Sequence, residues 1–280
     1  AGWGLSFSGS RRRSSARAQG QGHGGDQQPV VAVYLPVQGH GGGDHQGEEP
    51  ERADGDSDVK LGGYLSFVNV SFRYPDATDD VLHDISFTAR PGQTTAFIGS
   101  TGSGKSTVVN LVPRFFDVSE GQILINGTDI REVSQHDLRE RIGYVPQKGV
   151  LFSGTIESNL KYADENAPAE QLKSAVQTAQ AADFVFDKEN GMETEIAQGG
   201  TNVSGGQKQR LSIARALVKR PPIYIFDDSF SALDFKTDAA LRKALKQDTA
   251  ASTILLVTQR VSTIKNADQI IVLDDGKIVG

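Results

Sequence analysis

The sequence contains no cysteine, a single methionine and a single tryptophan among its 280 residues. Without cysteine the chain can form neither a disulfide framework nor a zinc–thiolate site, and it has no thiol nucleophile. It also lacks any apolar run of about 18 or more residues, the length that a membrane-spanning helix requires. We therefore expect no transmembrane helix in this sequence.

Positive charge is not in excess, because 29 lysines and arginines stand against 35 acidic residues, giving a net charge of −6. Proteins that hold nucleic acid by bulk electrostatics usually carry a basic surface, so this balance argues against nucleic acid as a partner. Three arginines at residues 11–13 precede no apolar segment, so we expect no secretory signal peptide in this sequence. Since the chain begins at Ala1 and its only methionine is Met192, we expect a fragment, a processed form or an engineered form of a protein.

The first part of the chain differs in composition from the rest. Residues 1–62 are rich in glycine, glutamine, arginine, histidine and acidic residues, with one short apolar island at residues 30–35. Such a segment buries too little apolar surface to offset the entropy lost on ordering. The composition predicts a disordered low-complexity tail over 1–62 and a folded domain over 63–280.

Within 63–280, strand-like and helix-like segments alternate, which predicts an α/β fold. Strands are predicted at residues 65–67, 70–74, 94–98, 122–125, 142–145, 223–226, 253–257 and 269–273, the last closing a hairpin with 277–279. Helices are predicted at about 105–112, 167–186 and 206–218. The uninterrupted apolar runs at 223–226 and 253–257 are typical of strands buried on both faces of a parallel sheet.

A glycine-rich segment fits the pattern G-x-x-x-x-G-K-[ST], follows a predicted strand and opens a predicted helix. It consists of Gly99, Ser100, Thr101, Gly102, Ser103, Gly104, Lys105 and Ser106, with Thr107 next in the helix. Glycines let the backbone curl so that several N–H groups point at one anion, and the helix N-terminus adds a favourable dipole. Lys105 would reach the β- and γ-phosphates of a nucleotide, and Ser106 would ligate Mg²⁺. The segment therefore predicts a phosphate-binding loop.

A carboxylate follows one of the buried strands, because the apolar run at 223–226 leads into Asp227 and Asp228. Open α/β sheets hold their ligands at the carboxyl ends of the strands. A phosphate-binding loop needs a second anchor for magnesium, and Asp227 is the predicted metal ligand beside Ser106.

A third motif points to a family. Residues 202–210 read N-V-S-G-G-Q-K-Q-R and lie ahead of the carboxylate strand. Together with the phosphate-binding loop, they resemble the nucleotide-binding domain of ATP-binding cassette (ABC) transporters, whose S-G-G-Q signature is here Ser204, Gly205, Gly206 and Gln207. In that family the signature of one subunit covers the γ-phosphate of ATP held by the other. The resemblance thus implies a head-to-tail dimer that sandwiches two ATP molecules.

Other family elements follow in the expected order. Tyr74 matches the aromatic residue that stacks on adenine, and Gln147 matches the Q-loop residue that contacts Mg²⁺ and the attacking water. Asp234, in S-A-L-D, matches the D-loop, which crosses the dimer interface. The segments 151–160 and 194–200 are similar to the exporter branch of the family. The resemblance covers about residues 63–280 and leaves out the tail.

The resemblance implies a P-loop NTPase (RecA-like) core over about 63–145 and 204–280, with an N-terminal antiparallel β subdomain. A helical subdomain over about 146–203 would be inserted in this core. The implied ligands are ATP and Mg²⁺. The implied partners are a second nucleotide-binding domain, in a heterodimer or a homodimer, and the transmembrane domain of an exporter at the cytoplasmic face of the plasma membrane.

Two positions depart from the family pattern where hydrolysis takes place. The family usually has Glu, the general base, where Asp228 stands, and Asp is one methylene shorter. It usually has His on the γ-phosphate where Gln259 stands, and glutamine cannot become cationic. Since a general base contributes about 10²–10⁴-fold to a rate, we expect this chain's own site to hydrolyse ATP slowly.

The combination resembles the degenerate-site subunit of heterodimeric bacterial multidrug ABC exporters. There, the signature of such a subunit completes the partner's competent site. The signature here is intact apart from Val203, where the family commonly has Leu. Gln198 likewise stands where exporters commonly have Glu.

Three other interpretations remain open at this point. The chain could form an ordinary homodimeric ABC ATPase, with Asp228 acting as a weaker base. It could be an ATP-gated clamp without turnover, which differs from the degenerate-site interpretation only in whether the partner hydrolyses ATP. It could also be a soluble ABC protein that acts on DNA or ribosomes, although a single cassette, the lack of heptad repeats and the net negative charge argue against that class.

Overall fold

The computed structural model describes residues 62–280, so the tail predicted over 1–62 lies outside the described residues apart from Gly62. The strands are β1 Leu65–Phe72, β2 Leu82–Ala89, β3 Thr94–Gly99, β4 Glu120–Ile125, β5 Thr128–Asp129, β6 Ile142–Val145, β7 Gly154–Thr155, β8 Glu195–Ile196, β9 Ile223–Asp227, β10 Thr253–Val257, β11 Gln269–Asp274 and β12 Lys277–Ile278. The helices are α1 Lys105–Leu111, α2 Gln135–Glu140, α3 Ile156–Lys161, α4 Ala169–Thr178, α5 Ala182–Phe186, α6 Gly205–Val218, α7 Phe235–Asp248 and α8 Val261–Ile264. Over this range no helix combines the length and apolarity needed to cross a bilayer. Mixed α/β structure, as predicted, is confirmed.

An antiparallel sheet in the order β2-β1-β4-β5 forms the first layer. The two strand-like segments predicted at 65–67 and 70–74 are one strand, β1, with a register shift between Phe67 and Val70. Asn69 adopts a left-handed φ of 49° at this point. Because a bulge adds a residue on one strand, Phe67 and Val70 both stay buried although the alternation between them is broken.

The central sheet has the order β12-β11-β3-β10-β9-β6. Strands β11, β3, β10, β9 and β6 run parallel, and β12 closes the edge as the antiparallel arm of a hairpin, as predicted. All residues of β9 are buried, which confirms that its apolar run lies between two covered faces. Since neighbouring parallel strands end at the same edge, the loops after β3, β10, β9 and β6 meet there.

A second apolar core lies among α3, α4, α5 and α6 and extends to β9 and α7. The helical pattern predicted over about 167–186 is confirmed, and the structure divides it between two helices, α4 and α5. Gln180 adopts a φ of 56°, and the Ala181 N–H donates to the carbonyl of Val176 at 2.9 Å. This bond closes the end of α4 in the manner of a Schellman turn, so the helix cannot continue. The subdomain boundaries at 146 and 203 remain a prediction.

Candidate nucleotide-binding site

Four of the predicted motifs lie at one edge of the central sheet. The phosphate-binding loop follows β3, the segment with Gln259 follows β10, Asp227 ends β9, and Gln147 follows β6. In the register of the sheet, Val257 lies opposite both Phe97 and Asp227. The strand order β3-β10-β9-β6 therefore brings these side chains together around one site, although they are up to 160 residues apart in the sequence.

The loop between β3 and α1 requires glycine at two positions. A Cβ on Gly99 would lie 2.0 Å from the carbonyl oxygen of Leu273, and Gly99 has a φ of 151°. A Cβ on Gly104 would lie 2.6 Å from the Leu82 side chain, at a φ of 96°. Since L-residues rarely adopt such backbone angles, a side chain at either position would displace the loop.

Lys105 folds back over this loop. Its Nζ donates to the carbonyl oxygens of Gly99 at 3.0 Å and Ser100 at 2.6 Å, and to Ser103 Oγ at 3.3 Å. Burial lowers the pKa of Lys105, while Asp228 and Asp227 oppose that shift. Neutral acceptors thus hold the ammonium group at the centre of the loop. Phosphate oxygens can replace these acceptors, and because they are negatively charged they attract the ammonium group more strongly.

An oxygen pair suited to a metal lies at the start of α1. Ser106 Oγ donates to Asp227 Oδ1 at 2.7 Å, and the carboxylate of Asp227 is buried. Burial raises the pKa of Asp227, and the nearby charge of Asp228 acts in the same direction. Hydroxyl and carboxylate oxygens are ligands that Mg²⁺ accepts, and a cation would offset the cost of burying this charge. These residues therefore fit a magnesium ion.

Asp228 is held in an uncommon backbone conformation. Its φ is 45°, its N–H donates to the carbonyl of Val257 at 3.0 Å, and its own carbonyl accepts from Ser231 Oγ at 2.8 Å. Gln147 Nε2 donates to Asp228 Oδ2 at 3.1 Å. The structure thus brings together Gln147 and Asp228, both predicted to act in hydrolysis.

The segment after β10 is linked to the D-loop. Gln259 is exposed, and the next residue, Arg260, donates to the carbonyl oxygens of Leu233 at 3.0 Å and Ser231 at 2.8 Å. Asp234 Oδ1 caps α7 by accepting the N–H groups of residues 236 and 237. Hydrogen bonds from Thr237 lower the pKa of Asp234. Arg260 therefore fixes the D-loop relative to the position of Gln259.

The signature begins helix α6. Ser204 Oγ accepts the N–H of Gln207 at 3.2 Å, and Gln207 Oε1 accepts the N–H of Ser204 at 3.0 Å, which forms a reciprocal capping box. Ser204 and Gly205 are exposed. Within residues 62–280, the side-chain hydrogen bonds of the signature stay inside it and do not reach the phosphate-binding loop.

Tyr74 lies beside the first helix of the loop. Its hydroxyl forms a 3.0 Å hydrogen bond with Thr107 Oγ1. Its ring packs edge-on against Phe72, with centroids 4.8 Å apart, and against Phe116 at 5.2 Å. Tyr74 is half-buried, so these contacts hold the ring at the side of α1 with part of its surface still open.

The sequence analysis missed Tyr144 and Asn110. Tyr144, in β6, donates its hydroxyl hydrogen bond to Asn110 Oδ1 at 2.8 Å, and the same hydroxyl lies 3.4 Å from Asp227 Oδ2. Burial raises the pKa of Tyr144, so the phenol stays protonated and can donate. The one available signal was the position of Tyr144 near the carboxyl end of a predicted strand, where parallel sheets hold ligands.

Replacing Tyr144 with phenylalanine is expected to raise the Mg²⁺ concentration needed for half-maximal ATP binding by about fivefold. The reason is the loss of a hydroxyl that bonds Asn110 and lies 3.4 Å from Asp227 Oδ2, a change worth about 1 kcal/mol to the position of that carboxylate. The control is Tyr224→Phe, which removes a hydroxyl from the neighbouring strand without touching Asp227. Titrating Mg²⁺ while following the binding of fluorescent ATP gives the midpoint for each variant. Equal midpoints in the two variants would show that Tyr144 does not contribute to the magnesium site.

A model of the ABC transporter family matches residues 82–231, which span the loop, the signature and the carboxylate strand. The chain belongs to the ABC transporter family. The predicted P-loop NTPase fold is confirmed by this match and by the structural likeness that follows.

Individual relatives share most of this chain but extend well beyond it. An uncharacterized ABC transporter ATP-binding protein of Mycobacterium bovis is 50% identical over 221 residues, 78% of this chain and 38% of the relative. A putative multidrug export ATP-binding/permease protein of Staphylococcus aureus is 41% identical over 81% of this chain and 41% of its own. A bacterial Atm1-family ABC exporter with ATP bound gives a TM-score of 0.75 at 39% identity, over 78% of this chain and 38% of that one. The chain thus spans about two fifths of the length of these curated relatives.

Proposed function

We propose that this chain is the ATP-binding and hydrolysing domain of an ABC exporter and that its own ATP site turns over slowly. One observation carries the proposal: the sheet places the phosphate-binding loop, Asp227, Asp228, Gln147 and Gln259 at a single edge. Members of the ABC ATPase family hydrolyse ATP, and the exporter-type relatives support the exporter branch.

Binding follows from the charges around the loop. Lys105 would exchange the Gly99 and Ser100 carbonyls for phosphate oxygens, and the N–H groups at the start of α1 would donate to the same anion. Ser106, Asp227 and Gln147 would hold Mg²⁺, which neutralises the phosphate charge. Tyr74 would offer the open part of its ring to the adenine base.

Slow turnover follows from two side chains. Asp228 would accept the proton of the attacking water, and its carboxylate lies one methylene closer to the backbone than a glutamate would. Hydrogen bonds to Val257 and Ser231 fix its left-handed backbone. The main chain therefore does not shift toward the attacking water to compensate for the shorter side chain. Gln259 would donate a neutral hydrogen bond to the γ-phosphate, which is weaker than one from a charged donor.

The exposed signature supports association with a second nucleotide-binding domain. Ser204 and Gly205 present the N-terminus of the fourteen-residue helix α6 to solvent, where its N–H groups would meet the γ-phosphate held by the partner. In a heterodimer this surface would complete a competent site on the partner. The transmembrane domain of the exporter would be the other partner, and the transport substrate would be selected there.

Replacing Ser204 with arginine is expected to abolish association of the chain driven by Mg²⁺ and ATP, because a long cation would stand where the partner's phosphates dock. ATP binding to the P-loop itself should stay within about threefold of the original, since a distant exposed site is energetically independent. Light scattering with and without ATP measures the molecular mass. Filter binding measures the ATP affinity.

The matched control is Ser134→Arg, because Ser134 is also an exposed serine that caps a helix, here α2, through the N–H of Asp137. Both variants lose a helix cap worth about 1 kcal/mol, but only Ser204 belongs to the signature. Association of Ser204→Arg to the same extent as Ser134→Arg at saturating Mg²⁺ and ATP would contradict the proposed role of the signature in an ATP sandwich.

A second candidate is the homodimeric ATPase with a working site, and the contact between Gln147 and Asp228 favours it. At 3.1 Å, the shorter carboxylate still reaches the Q-loop side chain. This contact supports a working role for Asp228 as the base. The two candidates differ in the rate of hydrolysis by this chain alone.

A further inference from the structure

We propose that this chain carries a second ligand site, for an amphipathic anion, in a cavity on the opposite side of the carboxylate strand from the phosphate-binding loop. The cavity has a volume of about 550 Å³ and lies between α7, β10 and the segment that follows α8. This inference goes beyond the proposed ATPase function and does not depend on it.

The floor of the cavity is apolar. It is formed by Phe226 and Phe230, on either side of the Asp227–Asp228 pair, together with Leu245 of α7 and Ile254 and Leu256 of β10. Side chains of this kind bind a hydrocarbon or aromatic body, at about 25 cal/mol for each Å² of apolar surface removed from water. Pockets that bind small molecules have volumes of about 300–1,000 Å³ and combine such a floor with a few polar groups.

The rim of the cavity is cationic. Arg242, Lys243 and Lys246 line it from α7, and Asp268 is the only acidic residue among the lining residues in the described part of the chain. Arg242 is paired with Asp238, and Asp268 accepts the Thr94 N–H at 2.8 Å. Lys243 and Lys246 are exposed, and within residues 62–280 neither forms an ion pair. The lining thus has a net positive charge, which selects an anion.

A buried polar atom marks the same cavity. Thr263 lines it and is 3% exposed, and its Oγ1 has no hydrogen-bond partner within the described range. Most buried hydroxyl groups in proteins are hydrogen-bonded, because an unpaired one loses its bonds to water without replacement. A polar group on the ligand would supply the missing partner. The cavity therefore combines an apolar floor, two free cations and an unpaired hydroxyl.

Binding is tested without nucleotide, so its failure would leave the ATPase proposal untouched. The probe is anilinonaphthalene sulfonate, a fluorescent anion with an aromatic body, and the competitors are decanoate, butanoate and decyltrimethylammonium below micelle-forming concentrations. We expect one saturable site. Decanoate should displace the probe at least about tenfold more effectively than butanoate because of its longer chain, and the cation of equal chain length should not displace it.

The decisive variant is Lys243→Glu with Lys246→Glu, which reverses both free cations at the rim. This variant replaces an attraction to the anion with a repulsion at two positions, so the double reversal should weaken probe binding by about tenfold or more. The control is Lys173→Glu with Lys188→Glu, which changes the net charge equally at exposed positions outside the cavity. That control should bind as the original does.

Three results would overturn the proposal. The first is the absence of saturable binding, and the second is equal weakening in the two double variants. The third is displacement of the probe by saturating Mg²⁺ and ATP together with loss of binding in Lys105→Ala, since the probe would then occupy the phosphate-binding loop. Circular dichroism of each variant shows that the fold is kept.

Discussion

Replacing Lys105 with alanine is expected to lower the ATP affinity of this chain by about 100-fold or more. The Nζ atom lies at the centre of the loop, where it donates to the carbonyls of Gly99 and Ser100. A phosphate would take over these bonds as charge-assisted ones, each worth about 1.5–3 kcal/mol. Two such bonds account for about 3 kcal/mol, which corresponds to a factor of about 100 in affinity.

The control for this substitution is Lys173→Ala, which removes an exposed lysine from α4. Fluorescence titration with labelled ATP measures both variants, and thermal unfolding shows whether the loop without its central ammonium still folds. An ATP affinity of Lys105→Ala within threefold of the original would mean that the loop after β3 is not the phosphate site.

Replacing Asp227 with asparagine is expected to abolish the effect of Mg²⁺ on ATP binding. The amide has the same shape and can still accept the hydrogen bond from Ser106, so the fold should persist. The negative charge is lost, however, and a divalent cation prefers anionic oxygen ligands. We expect Mg²⁺ to strengthen ATP binding by about tenfold or more in the original chain and by less than twofold in the variant. An effect of this size is what the attraction between Mg²⁺ and one carboxylate near the surface allows.

Asp238→Asn is the matched control, because Asp238 is another buried carboxylate, with a side chain only 1% exposed. It lies on α7 and accepts from Arg242 at 3.0 Å, whereas Ser106 donates to Asp227. This variant should lose stability, since it weakens the partner of a half-buried arginine, yet keep the full magnesium effect. Equal loss of the magnesium effect in both variants would contradict the role of Asp227 as a ligand of Mg²⁺.

Local patterns predicted the central strands well. The runs that became β9 and β10 are uninterrupted and apolar, and only a strand covered on both faces requires that pattern. The phosphate-binding loop was equally accessible, because its glycines are required by local backbone angles and close contacts. In both cases the residue types that the structure requires stand together in one short segment, although the contacts that require them, such as that of Gly99 with Leu273, come from distant parts of the chain.

Other elements could not be predicted from local patterns. Strand β2 was missed because Asp84 interrupts its alternation, and the structure places this residue at a φ of 50°. Helix α7 was missed because its sequence is charged, and only Leu241, Leu245 and the ion-paired Asp238 are buried within it. The contact between Tyr144 and Asp227 depends on β6 lying next to β9, a strand order that no local pattern specifies.

Single-turnover ATP hydrolysis by the original chain and by Asp228→Glu with Gln259→His tests the central claim most directly. We expect slow hydrolysis by the original chain and a gain of about tenfold or more in the double variant, since a correctly placed general base is worth about 10²–10⁴-fold. Adding Lys105→Ala to the double variant should remove that gain, which assigns it to this chain's own site. Equal rates in the original and the double variant, whether fast or slow, would contradict the account.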